Sequence, residues 1–235
     1  MTSRPATALL AMSLLVPAAT VADTIQITLT NLTHGSYFTP LLVAAHDSST
    51  HLFQPGSAAS ASLQAMAEGG DLSGLVADVA NVGATYVENP AAGLLEPGAS
   101  TTTMLDTTGT QNTRLSIVAM ILPTNDGFVG LDALTLPATA GTYTFYLNAY
   151  DAGTEANDEI VNGAGSPGAP GIPADPGGHS GSGASGAATA DNNSAVHIHR
   201  GVLGDQDSSG GVSDLDSSVH RWLNPVAKLV LSVNY

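Results

Sequence analysis

Three stretches of the chain carry side chains of a type and spacing that can do chemistry. The first is "ILPTNDGFVGLDAL", residues 121–134, where Asp126 closely follows the apolar run 115–122. A second acid, Asp151, directly follows the alternating run 142–150, and Glu155, Asp158 and Glu159 come soon after it. Two carboxylates at the ends of neighbouring strands suit a hard cation such as Ca2+, which takes about six to eight oxygens from carboxylates, carbonyls and water. The competing reading is plain: Asp, Asn and Gly terminate strands in proteins of every kind.

The second stretch is "DQDSSGGVSDLD", residues 205–216. Asp205, Asp207 and Asp216 stand at positions 1, 3 and 12, with Ser209 and Ser213 at 5 and 9 and Gly210 at 6, the spacing of a calcium loop. Position 12 is Asp rather than the longer Glu and no helix signal flanks the loop, so an acidic turn between strands is the favoured reading. The third stretch is "AVHIHR". Alternation in a strand puts His197 and His199 on one face, opposite Val196 and Ile198, a spacing used by transition-metal sites. No third ligand is selected by spacing, and two histidines on the wetter face of a strand are commonly surface residues.

Other chemistries find little support. No G-x-S-x-G elbow is present, and "GHSGSGASG" is low-complexity sequence with neither a strand before it nor a helix after it. There is no cysteine, which excludes disulfides, thiolate nucleophiles and zinc–cysteine centres. After residue 22 there are four bases against twenty acids, a net charge of −16, so nucleic acids and anionic membranes are poor partners and cations are natural ones. Ten of the acids fall within residues 151–216, where Arg200 is the only base. Composition by itself favours a solvated loop region there.

The elements that must position these residues are mostly strands. Residues 24–32 alternate Ile25, Ile27 and Leu29 against Thr and Gln, and residues 226–233 put Ala227, Leu229, Leu231 and Val233 on one face. Two Ala- and Leu-rich segments between residues 57 and 80 read as short helices, the first closed by Gly. Residues 162–190 hold nine Gly and four Pro, too little apolar surface to fold alone, and are expected to form a flexible insert. Many short strands with turn residues between them describe an all-β antiparallel sandwich. Arg4, a short apolar stretch and small residues at Thr20 and Ala22 read as a signal peptide over residues 1–22, followed by one domain over 23–235 that is secreted or periplasmic. No stretch is long and apolar enough to span a membrane.

"RLSIVAMILPTNDGFVGLDAL", followed by "YDAGTEANDE" and closed by "NPVAKLVLSV", resembles the spondin N-terminal domain of F-spondin and mindin in a bacterial form. "NLTHGSYFTPLLVAAHD" and "GDLSGLVADVA" fit the same family in order. The resemblance implies a C2-like sandwich of about eight strands, a Ca2+ ion near the loop ends, and extracellular recognition or adhesion toward a protein or glycan rather than catalysis. The family's calcium carboxylates fall on Asp126 and Asp151, with Asp106 the nearest match for a third. The cysteines of animal members, and their tryptophan after the Asp, are missing, Gly127 standing in its place. The alternative is an exported metalloenzyme, an oxygenase or hydrolase, built on His197 and His199.

Overall fold

A computed structural model describes residues 24–178 and 181–234. The segment read as a signal peptide lies outside the described residues. Ten strands and two helices follow one another as β1 (Thr24–Asn31), β2 (Tyr37–Phe38), β3 (Leu42–His46), α1 (Ala61–Gly69), α2 (Ser73–Asn81), β4 (Thr85–Glu88), β5 (Ser100–Asp106), β6 (Arg114–Leu122), β7 (Gly127–Thr135), β8 (Gly141–Asp151), β9 (His197–Ile198) and β10 (Ala227–Asn234). Eight of the strands run β4-β3-β6-β7-β8-β10-β1-β5, with β2 added to β6 and β9 to β8. The paired strands are antiparallel. The two ends of the path, β4 and β5, lie side by side, so the sheet folds into a nearly closed sandwich. This is the expected architecture of about eight strands with two short helices.

The strand patterns follow from what each face meets. Ile25, Ile27 and Leu29 of β1 and Leu229, Leu231 and Val233 of β10 point into a core shared with Leu115, Ile117, Ala119 and Ile121 of β6. The other face of β6, with Val118, Met120 and Leu122, packs under Leu63 and Met66 of α1 and Leu75 and Val79 of α2. A strand covered on both faces reads as an unbroken apolar run, which is why "LSIVAMIL" shows no alternation. Helix α1 starts at Ser60, whose side chain accepts from the Leu63 N–H at 3.1 Å, and stops at Gly70 in the left-handed region.

Phe128, the second residue of β7, packs edge-on against Phe53 at 5.0 Å between ring centroids, and Phe53 also meets Tyr150 at 4.8 Å. Gly130 makes room for this cluster. A Cβ there would stand 2.7 Å from Phe53 Cζ and 3.0 Å from Tyr150 Cδ2. Gly130→Ala is therefore expected to cost about 1–3 kcal/mol through overpacking, read as a lower urea midpoint with unchanged slope.

The Gly- and Pro-rich stretch buries too little to hold itself, and it is held from outside. The Gly168 N–H donates to Glu68 Oε2 at 2.6 Å and the Gly171 N–H to Glu155 Oε2 at 3.1 Å. Ser182 N donates to Asp214 Oδ1 at 2.6 Å, and Ile172 is fully buried in a small cluster with Val202 and Leu215. Carboxylate anchors of this kind leave no mark in a count of apolar area.

Candidate metal centre

Asp126 sits one residue before β7, and Asp151 is the last residue of β8. The register pairs Gly127 with Asp151, so two loops far apart in sequence emerge side by side. Both carboxylates are buried, Asp126 completely and Asp151 to 1% exposure. Asp126 Oδ2 accepts from the Thr154 N–H at 2.8 Å, the Thr154 hydroxyl at 3.2 Å and the Glu155 N–H at 3.1 Å. Its other oxygen, Oδ1, is buried and has no hydrogen-bond partner among the described residues. Asp151 Oδ1 accepts from the Gly153 N–H at 2.8 Å and Oδ2 from Asn157 Nδ2 at 2.8 Å. Gly153 is required at that turn: its φ is +71°, and a Cβ would lie 2.7 Å from the Ala195 backbone nitrogen.

Among the described residues neither carboxylate has a Lys or Arg partner. Arg200, the base of this region, donates to the Asn157 carbonyl at 3.3 Å instead. The nearest cationic candidate is His197, whose Nδ1 lies 3.7 Å from Asp151 Oδ1. Burial, and after it the Asp151 charge, push Asp126 up from 3.8 to about 6. Glu155, also mostly buried and with Oε1 unpartnered, is pushed up to about 7, chiefly by burial. Buried carboxylates of this kind require a proton or a cation.

Asn125 ties the site together. Its Nδ2 donates to Asp158 Oδ1 at 2.7 Å, and its Oδ1 accepts from the Glu159 N–H at 3.2 Å. Spacing alone did not single out Asn125, Thr154 or Asn157 as side chains of the site. The only signal for them is the density of Asx and Thr turn formers after each strand.

The remaining sequence candidates lie elsewhere. Asp106 is exposed at the end of β5 and pairs with Thr24, whose other neighbour is Asn234. Asp151 leaves β8 at the opposite end, beyond the Leu147–Ala227–Asn31 row, so the fold does not bring Asp106 to the pair. Asp106 accepts from the Thr108 N–H instead, at 2.9 Å. The 205–216 loop closes on itself through a parallel bridge between Asp205 and Asp216. Asp205 is turned toward backbone N–H groups, accepting from Asp207, Val212 and Ser213, while Asp207 and Asp216 each cap a following serine. These carboxylates are occupied by the loop's own donors rather than aimed at a common point.

The two histidines do not share a wet face. Strand β9 is two residues long; the His199 N–H still donates to the Ala149 carbonyl of β8 at 3.1 Å, but its ring is 4% exposed against Trp222, with ring centroids 5.0 Å apart. His199 Nδ1 accepts from the Gly201 N–H at 2.9 Å. A metal on Nε2 requires a proton on Nδ1, which would face that N–H donor, so His199 is oriented against metal ligation. Burial holds its pKa down to about 4, further evidence of a neutral packed ring. Among the described residues no three His, Asp or Glu side chains converge as a ready-made metal cluster. An ion at Asp126 and Asp151 would therefore draw on carbonyl or amide oxygens as well, the donor set that calcium accepts.

The family model Spondin_N matches residues 30–164, from the end of β1 past the Asp151 loop. The chain belongs to the spondin N-terminal domain family. No curated protein matches the chain. Spondin N-terminal domains are in general non-catalytic and extracellular. The matched span contains Asp126, Asp151 and the two helices, while β9 and the closing strand β10 lie outside it. No helix among the described residues of this spondin N-terminal domain is long and apolar enough to cross a membrane.

Proposed function

We propose that this spondin N-terminal domain is a secreted calcium-binding recognition module in which Asp126 and Asp151 hold the ion. The observation that carries the reading is Asp126 Oδ1, a fully buried carboxylate oxygen beside a second buried carboxylate, with no hydrogen-bond, Lys or Arg partner among the described residues. When bound, Ca2+ supplies positive charge to offset the two carboxylates and links the loops that follow β6 and β8. The chain's own part is to hold the ligands: Thr154 and Glu155 fix Asp126, and Gly153 and Asn157 fix Asp151. The recognition surface belongs to the loops so ordered, and adhesion to an extracellular protein or glycan is its proposed use. Export by residues 1–22 belongs to the same proposal.

The test is thermal unfolding of residues 23–235 in EDTA, in Ca2+ and in Mg2+, with calorimetric titration. An ion that binds the folded state alone stabilises it by mass action, about 2.7 kcal/mol at a hundredfold excess over Kd. A rise in melting temperature with Ca2+ and a smaller one with Mg2+ is expected, because the smaller ion demands a stricter octahedron. Identical melting in all three solutions would remove the assignment.

A further inference from the structure

On another side of the domain, the loop between β3 and α1 and the two helices enclose a cleft of about 630 Å3. We infer that this cleft is a binding site for an uncharged, hydroxyl-rich ligand, a neutral saccharide, with His51 as its positioned acceptor. The inference uses none of the proposed calcium ligands and stands apart from that reading.

The first observation is that His51 is held in place. Its Nδ1 lies 2.5 Å from Asp132 Oδ2, and Nε2 makes no hydrogen bond among the described residues. The ring lines the cleft with its side chain 38% exposed. Asp132 is itself fixed: Oδ1 accepts from the Leu52 N–H at 2.8 Å and lies 3.4 Å from Ser116 Oγ. Ser116 is fully buried, accepts from the Ala133 N–H at 2.9 Å and lies 2.8 Å from His46 Nε2. A carboxylate that fixes one ring nitrogen orients the imidazole and turns the other nitrogen outward.

The second observation is backbone irregularity at that place. The β6–β7 ladder shifts register between Leu115 and Ile117, which brings Ser116 to Ala133. Ala133 has φ of +49°, a conformation costly for a residue with a Cβ. Bulges and strained residues gather where a fold re-aims a functional side chain. The wall carrying His51 is also pinned further along, by Phe53 in the aromatic cluster and by the Gly56 N–H donating to the Val196 carbonyl at 2.7 Å.

The third observation is the chemistry of the lining. It contains no Lys or Arg and one carboxylate, Asp78, in a chain with twenty acids. An anion finds no Lys or Arg there, and a cation finds a single lining carboxylate. Gln54, Ser57, Asn81 and Asp78 line it with side chains that make no hydrogen bond among the described residues, while Val82 presents an exposed aliphatic wall. Several free amide, hydroxyl and carboxylate groups around an apolar patch match the alternating hydroxyl edges and C–H faces of a sugar ring, and the volume admits one or two such rings. Polar groups of this kind reject a ligand that leaves them unpaired.

The experiment is an NMR titration of the folded, calcium-loaded domain with maltose, cellobiose and N-acetylglucosamine. Glucosamine and glucuronic acid serve as charged controls and cyclohexanol as an apolar one. At least one neutral sugar is expected to shift the His51 ring and Val82 methyl resonances saturably at millimolar concentration. The exposed variants His51→Ala and Asn81→Ala should each weaken that binding about tenfold or more, roughly one factor of ten per lost hydrogen bond, with calcium-dependent melting unchanged. Absence of shifts with every neutral sugar, preference for a charged sugar, equal response to cyclohexanol, or undiminished binding by His51→Ala would each overturn the inference. Failure of the calcium test leaves these readouts intact, so the two proposals fail separately.

Discussion

Asp126→Asn should invert its effect on stability between calcium-free and calcium-loaded protein. In EDTA above pH 7 the variant should melt no lower than the parent, and in saturating Ca2+ it should melt well below it. The parent carries a buried carboxylate whose pKa is raised from 3.8 to about 6. Ionising it in the folded state costs on the order of 2–3 kcal/mol. Asn removes that charge and keeps an oxygen to accept from Thr154 and Glu155, so the calcium-free fold loses little. In calcium the same change removes a ligand charge and with it the mass-action stabilisation.

The pH dependence follows from the same group. A carboxylate with a raised folded pKa contributes stability that is fully present below 3.8 and is lost as pH rises through about 6. Calcium competes with that proton, so its stabilising increment grows over the same window. Glu155, raised to about 7, acts in the same direction, and His199, lowered to about 4, acts in the opposite one. The difference between the parent and Asp126→Asn curves reports Asp126 together with its electrostatic coupling to Asp151 and Glu155. Equal destabilisation with and without calcium, at every pH, would make Asp126 a purely structural hydrogen-bond acceptor and sink the calcium reading.

Glu159→Ala should be the most damaging single substitution outside the hydrophobic core, at about 3–5 kcal/mol. Glu159 is 4% exposed, and its carboxylate gathers three donors: the Leu203 N–H at 2.7 Å, the Gly204 N–H at 2.9 Å and the Ser213 hydroxyl at 2.6 Å. Its own carbonyl accepts from the Asp214 N–H at 3.0 Å. One side chain thus fastens the 203–214 stretch to the loop that follows β8. Alanine would strand the donors in a site with little water and open a cavity. Glu159→Gln keeps the shape and one accepting oxygen but sets its NH2 against a backbone N–H donor, so it should cost less than Glu159→Ala without matching the parent. Urea unfolding gives the magnitude, and limited proteolysis should show new cleavage within residues 203–214. A loss under about 1 kcal/mol, the size of an ordinary exposed hydrogen bond, would show that solvent replaces the carboxylate there.

Glu159 also shows why the acid-rich half looked different in sequence. Ten acids with one base read as a solvated surface, because carboxylates are seldom buried without a basic partner. Here Glu155, Glu159 and Asp214 are buried and accept from backbone N–H groups of loops that have no sheet to join. A backbone donor leaves no mark in composition. The Gly-rich stretch uses the same kind of contact, since the Gly168 and Gly171 N–H groups find carboxylates at Glu68 and Glu155.

Strand β7 was hidden for another reason. Gly127, Gly130 and Asp132 interrupt its apolar pattern, and each has a tertiary cause. Gly127 lies against Thr124 and His199, Gly130 admits Phe53, and Asp132 holds the His51 loop. The reading of His197 and His199 as a paired face assumed that this face is wet along its length, whereas the His199 ring is buried against Trp222.

The order of apolar residues along the chain determined the all-β class, the alternation of β1, β8 and β10, the two helices, and the placing of Asp126 and Asp151 at strand ends. Those features depend on local periodicity and turn chemistry, which every residue carries with it. Only the tertiary structure decided that Gly127 pairs with Asp151, that Asp106 ends at the opposite edge of the sheet, and that Oδ1 of Asp126 is left buried without a partner. Register, burial and the choice of hydrogen-bond partner arise from contacts between residues distant in sequence, and no local pattern encodes them.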